Sequence, residues 1–381
     1  IAIIILLLTT WAGLIVLTKP IRVLFILLFL LPPYQLSLML LLHFSGSATI
    51  VEIAQLWKDI LIIAAFSLVC GHLIYQQKTI RWQWLDFLIV TFLLLNLLYL
   101  LLPWQTTFLN RLYGVRANTF LIFFYVLGRL IPIDKKYQQY FLNGLLLLGL
   151  LAGLFVFVDR FLLPIDWPSR IGLRNYLALQ SGGIFQSSAP NGLTWTYWTA
   201  SGIRRSSSFF ANPLDLAAAI HLIGITALVT ILSYPRMTTG QFRGLIVFLM
   251  VAPAILLTVS RASIVILAIE CLLICWLMSR YRLLSSLLIF YVVGADIVLF
   301  LSPSLAEFVY QTLTFQNPSS AGHLHRWAEG IYAVYDSPLG IGPGTSSSVG
   351  DRFGESIGGE SQYIVFAVEL GVAGLLLYLL I

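Results

Sequence analysis

Apolar runs of roughly 20 residues, separated by short polar patches, recur from residue 1 to about 302 and return at the end of the chain. A helix needs about 20 residues to cross a ~30 Å hydrocarbon layer, so the pattern predicts about eleven crossings. They fall near residues 1–18, 21–43, 50–75, 85–103, 114–131, 138–163, 209–233, 242–259, 261–279, 283–302 and 361–381. Pro32-Pro33 lies inside the second run and predicts a kinked span or two half-helices, because proline removes a backbone donor and clashes with the preceding turn. The sequence begins without Met and is still apolar at Ile381, so it reads as a fragment.

Two long segments interrupt this rhythm. Residues 164–208 hold Pro164, Pro168, Gly172, Gly182-Gly183, Pro190, Gly192 and Gly202, too many breakers for long helices, which predicts a loop packed over one membrane face. In residues 303–360, Asn317-Pro318-Ser319-Ser320 supplies capping oxygens and a preset proline, the signature of a helix start. Leu324, Trp327, Ile331 and Val334 then recur at spacings of three and four, which places them on one face of a surface helix. Arg326 and Glu329 occupy the other face, and Asp336-Ser337-Pro338 ends the helix. Gly340, Gly342, Pro343 and Gly344 predict a tight turn. Its backbone N–H groups either form an anion-binding nest or merely carry the chain out of the helix. No strand precedes the turn and no lysine follows at P-loop spacing.

The predicted fold is all-α, a polytopic transmembrane bundle. It divides into N-terminal helices (1–163), a first extracytoplasmic loop (164–208), central helices (209–302), a second extracytoplasmic loop with its amphipathic helix (303–360) and a last span (361–381). Residues 244–280 carry no loop signal, yet as one helix they would run ~55 Å, nearly twice the apolar thickness. The chain must break there, and Thr258, Ser260 and Arg261 are the natural place. That puts Arg261 at a membrane rim, either facing the long loops or snorkelling to the interface.

Composition makes the membrane reading firm. With 59% hydrophobic and 10% charged residues and a mean hydropathy of +0.92, the apolar residues exceed what one soluble core can bury. Alternate short loops carry the pairs Lys19/Arg22, Lys78/Arg81, Lys135/Lys136, Arg236/Arg243 and Arg280/Arg282, the bias that marks the cytoplasmic side, so both long loops are expected outside. The net charge of +6 is mostly topology, and no basic stripe on a reader fold points to nucleic acid. Cys70, Cys271 and Cys275 lie inside predicted spans and read as packing residues.

The remaining polar residues cluster in the long loops. His323 and His325 sit one residue apart, so on a helix they diverge, which disfavours joint metal ligation and leaves hydrogen bonding, substrate contact or base catalysis. Glu329, three residues after Arg326, either pairs with it or acts as acid or base. Charges inside spans need partners: Lys58, Asp59, Asp215, Glu270, Asp296 and Glu369. Asp215 and Glu369, near the outward face, are candidates to line a cavity, and Glu270 is either a structural pair or functional. The aromatic stretch "LTWTYWTASG" (193–202) fits an interfacial belt or a platform for sugars.

Four segments in order, "RRSSSFFANPLDLAA" (204–218), "TVSRAS" (258–263), "HRWAEGIYAVYDSPLGIGPG" (325–344) and "GGESQYIVFAVELGVAGLLLYL" (358–379), resemble the O-antigen ligase/polymerase superfamily. "LWKDILIIAA" (56–65) adds a weaker likeness. The resemblance implies a many-span glycosyltransferase that moves glycan from a polyprenyl-diphosphate lipid to an acceptor at the extracytoplasmic face of a bacterial plasma membrane. It implies diphosphate-binding arginines at Arg261, Arg326 and either Arg204 or Arg205. Guanidinium forks suit phosphate oxygens, and no Asp-rich metal site is visible, so no metal or other cofactor is expected. Family ligases open the last span with a candidate base histidine, whereas this chain has Glu360, which favours the polymerase branch. Glu360 becomes the expected base, with Glu329 and His325 as further catalytic candidates. The implied partners are the lipid-linked glycan donor, an acceptor glycan lipid, membrane lipids and a chain-length regulator protein. The alternatives are a ligase acting on lipid A core or protein, and a solute or bicarbonate transporter of the same superfamily, although transport predicts ionisable residues near mid-bilayer.

Overall fold

The computed structural model describes residues 21–75, 81–104, 106–131, 133–180, 189–199, 202–233, 238–316, 318–354 and 356–381. The expected span 1–18 and the expectations for Lys19, Lys78, Gly182-Gly183, Arg236 and Asn317 lie outside these residues. The described chain is helical, with no strand beyond one isolated bridge between Trp198 and Arg204. The helices run in the order α1 (Arg22–Leu30), α2 (Tyr34–Ser45), α3 (Ala48–Gln55), α4 (Trp57–Tyr75), α5 (Trp84–Leu101), α6 (Phe108–Leu130) and α7 (Lys135–Phe157). A π-turn, Val158–Leu162, closes α7, and two short helices, α8 (Trp167–Arg170) and α9 (Leu173–Gln180), follow in the first long loop. Then come α10 (Pro213–Leu232), α11 (Thr239–Leu257), α12 (Arg261–Leu277), α13 (Tyr281–Leu301), α14 (Pro303–Leu313), α15 (Pro318–Asp336), α16 (Ser347–Phe353) and α17 (Gln362–Leu380).

Among the described residues six helices are long and apolar enough to cross a membrane, or seven if α1 and α2, bent by 64° at the Pro32-Pro33 break, form one span. The expected eleven is not confirmed, and the first of those spans lies outside the described residues. Within the described residues α12 has 17 residues and α6 carries Arg111, Arg116 and Arg129, so neither is counted.

The chain forms two compact units. The first comprises residues 1–65 and 133–301, the second residues 66–132 and 302–381. In the first, α7, α10 and α11 share a core that includes Ala152, Val156, Leu216, Ile220, Val251 and Ile255. Small residues allow close approach, as membrane helices require in the absence of a hydrophobic force between them. A Cβ on Gly149 would lie 2.3 Å from Ile223 and one on Gly153 2.9 Å from Met250. The first long loop is not a loose excursion: Leu173, Tyr176, Leu193 and Tyr197 pack with Leu38, Met39 and Val51 of α2 and α3.

The break between α11 and α12 falls at Thr258, Val259 and Ser260. Val259 sits at φ 49°, a left-handed conformation that costs a β-branched residue free energy and survives only where neighbours fix it. Thr258 Oγ1 donates to Ile255 O at 2.7 Å and Val259 N to Leu256 O at 3.0 Å, so the hairpin is locally tied.

In the second unit, α17 packs on α5 and α15, with Phe92, Tyr99, Phe366 and Leu370 at the centre. The glycine turn after α15 docks into a kink of α17 at Gly371, whose φ is 70°. Ile341 N donates to Val368 O at 2.9 Å, Gly342 N to Glu369 O at 3.2 Å and Val372 N to Pro338 O at 2.9 Å. These donors are spent on protein backbone, so the turn is a docking device and Ile341 and Gly342 are not free to form an anion nest. A Cβ on Gly340 would stand 2.5 Å from Gly371 N, and the φ of 84° there excludes most side chains in any case. Gly340→Ala is therefore expected to destabilise the second unit by on the order of 2–3 kcal/mol. A thermal melt of the purified protein in detergent checks this, and an unchanged midpoint would show that the turn is not held by this contact.

Candidate functional site

Arg204, Arg205 and Arg261 all lie in the first unit and have different surroundings. Arg204 is 5% exposed and Asp159, in the π-turn that ends α7, is fully buried; their side chains form an ion pair. Arg204 Nη1 also donates to the Asp159 carbonyl at 3.0 Å. Asp159 accepts further bonds from Trp167 Nε1 at 2.6 Å, Ser207 N at 2.8 Å and Ser208 N at 3.2 Å. A fully satisfied carboxylate with a paired guanidinium is a structural centre, and it folds the segment 204–208 onto the end of α7. Sequence reasoning missed Asp159. The signal was present, since a lone carboxylate closing an apolar run must find a partner.

Folding that segment aims the next arginine elsewhere. Arg205 N donates to Tyr197 O at 2.8 Å and Ser206 N to Leu257 O at 3.1 Å, which ties the strip to the last turn of α11, just before the break. Arg205 is half-buried, forms no ion pair among the described residues, and its Nε lacks a hydrogen-bond partner there. Burial, and then the nearby positive charge of Arg261, push the Arg205 guanidinium below its usual pKa. Two like charges in one partly dry place are costly without an anion between them, which is the electrostatic profile of a phosphate site.

The other candidates lie in the second unit. Arg326 projects from α15, where Nη1 reaches Glu329 Oε2 at 3.5 Å and Ser356 O at 3.5 Å. With the two side chains 45% and 39% exposed, this pair is loose and contributes little to stability. Glu360 is held by His323, whose Nδ1 contacts its carboxylate. His325 is exposed and does not join them, in line with the divergence of i and i+2 side chains on a helix. The His323–Glu360 pair was not anticipated from the sequence, since 37 residues separate its members.

The apolar face of α15 is turned outward. Leu324, Trp327 and Ile331 are 47%, 39% and 61% exposed, whereas Ser320 and Gly330 are buried. A Cβ on Gly330 would lie 2.2 Å from Ile364, so small residues make the contact with α17 and the apolar stripe is left outward. Of the charges expected to need partners inside spans, Glu270 pairs with His221 across α12 and α10 at 2.8 Å. Glu369, expected as a cavity lining, is buried, and accepts from Asn118 Nδ2 at 2.7 Å and Ser346 N at 3.2 Å, which fixes the glycine turn to α6 and α17. Asp215 is exposed in the first turn of α10, and Lys58 lies 4.6 Å from the Tyr34 ring. Cys271 and Cys275 are buried free thiols.

These features define a multi-pass helical membrane protein with arginines gathered at a helix break. Residues 245–379 match the family model described as O-antigen ligase, and this part of the chain is thus similar to the O-antigen ligase/polymerase superfamily. The match includes Arg261, His323, His325, Arg326, Glu329 and Glu360 and stops short of Arg204 and Arg205. No curated protein and no solved structure matches the chain.

Proposed function

We propose that the protein is a membrane glycosyltransferase that takes glycan from a polyprenyl-diphosphate lipid and polymerises repeat units at the extracytoplasmic face of the bacterial plasma membrane. The observation that carries the reading is the half-buried Arg205, on a strip tied to Leu257 at the end of α11 and lying near enough to Arg261, after the strained break, to feel its charge. A lipid diphosphate relieves that repulsion, and bidentate guanidinium contacts suit its oxygens. Arg205 takes this role rather than Arg204, whose charge Asp159 already neutralises.

In the reaction the acceptor hydroxyl oxygen attacks the anomeric carbon, the bond from that carbon to the diphosphate oxygen breaks, and the diphosphate leaves with the electron pair. Arg261 and Arg205 stabilise the charge that develops on it, and the family resemblance assigns Arg326 to the diphosphate and Glu360 to the hydroxyl proton. His323 orients the Glu360 carboxylate. Glu329 steadies Arg326, and His325 remains an acid–base candidate. No metal or cofactor is invoked. The ligase reading is favoured by the description of the matching family, and differs only in the acceptor, lipid A core or protein in place of a glycan lipid. A chain-length regulator is a partner of the polymerase alone.

The test is reconstitution of the full chain in vesicles with a polyprenyl-diphosphate oligosaccharide, following release of polyprenyl diphosphate and the acceptor that gains sugar. Glu360→Gln is expected to slow release by about 100-fold and Arg326→Ala by a similar factor, with both proteins folded. No release by the wild type, with solute flux across the same vesicles, would replace the transferase by a transporter.

A further inference from the structure

The glycine turn meets the last residues of α5, where Tyr99 Oη donates to Leu339 O at 2.6 Å. At the opposite end of α5 the second unit contains a cavity of about 250 Å³ between α4, α5 and α6 that none of the roles above uses. Asp86, Tyr125 and Arg129 line one part of it, and Phe66, Ile89, Leu93 and Ile122 line the rest. From Asp86 to Leu93 α5 rises about 10 Å, so the cavity grades from a polar rim to a purely apolar end.

That gradient is the shape of an amphiphile, and size and charge narrow which one fits. The volume lies below the ~300–1,000 Å³ of drug-sized sites, so it admits a thin chain better than a ring system. At the rim the carboxylate is already served by neutral donors: Asp86 accepts from Tyr125 Oη at 2.6 Å and from Gln83 N at 2.7 Å. Arg129 therefore pairs with it only loosely, its Nε standing 3.5 Å from Asp86 Oδ1. Arg129 Nη2 donates to Arg81 O at 2.7 Å, and Nη1 makes no hydrogen bond among the described residues. Arg81 is itself exposed and forms no ion pair among the described residues. One carboxylate thus faces two guanidinium groups, which leaves the rim net positive. Basic groups at the mouth of an apolar cleft between membrane helices suit an anionic lipid head and repel a cationic one.

We propose that this cavity is a binding site for an anionic phospholipid, with one acyl chain inserted past Ile89 toward Leu93 and the phosphate on Arg129 and Arg81. The site is independent of the transferase reading, since no catalytic candidate lines it. The test is native mass spectrometry of the full chain in micelles titrated with three probes: phosphatidylglycerol, phosphatidylcholine with the same acyl chains, and farnesyl phosphate. The first phosphatidylglycerol is expected to bind about fivefold tighter than phosphatidylcholine. Cys70→Trp and Val90→Trp, which fill the cavity from different walls, are expected to abolish that preference. Arg129→Gln is expected to reduce it to within about twofold, because the loose cation is gone while a donor to Arg81 O remains. Leu222→Trp, at an exposed position of α10 in the first unit, is expected to leave it unchanged. Thermal melts accompany each variant, and if neither filling variant folds, Arg129→Gln decides alone. Equal retention of the two phospholipids by the wild type would mark an ordinary boundary lipid and overturn the proposal, as would a preference that survives in the folded variants. Displacement of phosphatidylglycerol by an equal concentration of farnesyl phosphate would give the cavity to an isoprenoid chain and overturn it too. A protein without transfer activity that still prefers phosphatidylglycerol would sink the transferase reading and leave this site standing.

Discussion

Arg261→Ala is expected to abolish transfer of glycan from the lipid diphosphate, by at least about 100-fold, while the protein remains folded and membrane-inserted. A single charged donor to an oxyanion, acting in a partly dry site, is worth roughly 2.7–4 kcal/mol, and each 1.36 kcal/mol is a factor of ten. Arg261 is well placed for such a share because it opens α12, where the break in the span brings the side chain beside Arg205. The conservative variant discriminates between charge and shape: Arg261→Lys keeps the cation and loses the planar fork, so about tenfold loss is expected. Arg261→Ala also removes the repulsion on Arg205, so its stability should hold or rise slightly. Glycan ladders in complemented cells, together with the melting midpoint of purified protein, provide the check. A normal ladder from Arg261→Ala would rule out diphosphate binding at this break.

Asp159→Ala is expected to have the largest effect on stability, on the order of 3–5 kcal/mol, because it leaves the Arg204 guanidinium buried without a counter-charge. It also strips the acceptor from Trp167 Nε1 and from the amides of Ser207 and Ser208. Replacing both members, Asp159→Leu with Arg204→Met, should recover part of the loss, since an apolar pair of similar bulk carries no unpaired charge. Yield of folded protein and its melting midpoint measure both variants. If Asp159→Ala melts like the wild type, the centre that folds residues 204–208 is misassigned. The contrast with Arg261 is that the Asp159–Arg204 pair is predicted to serve the fold and Arg261 the reaction.

Much of this architecture was legible in the hydrophobic pattern, because crossing a bilayer imposes a length that a sequence cannot disguise. The Pro32-Pro33 bend, the break before Arg261 and the surface helix ending at Asp336 all follow from geometry that acts within a few residues. The number of spans is not confirmed by the six or seven long apolar helices among the described residues, which exclude the first expected span. The choice between Arg204 and Arg205 was beyond local rules. It depends on Asp159, about 45 residues upstream, whose carbonyl and Oδ1 engage the Arg204 guanidinium and neutralise it, while Arg205 forms no ion pair among the described residues. Likewise the glycine turn at 340, 342 and 344 left an anion nest and a plain exit from the helix both open, and only tertiary contact shows its backbone lying against α17 at Gly371.

The outward stripe of Leu324, Trp327 and Ile331 links the height of Arg326 to the lipid itself. A helix whose greasy side has no protein to cover it settles where acyl chains meet headgroups, and a side chain on its other flank is carried to the same depth. In longer or shorter lipids that depth moves, so the surrounding bilayer becomes part of the mechanism by which this guanidinium is positioned.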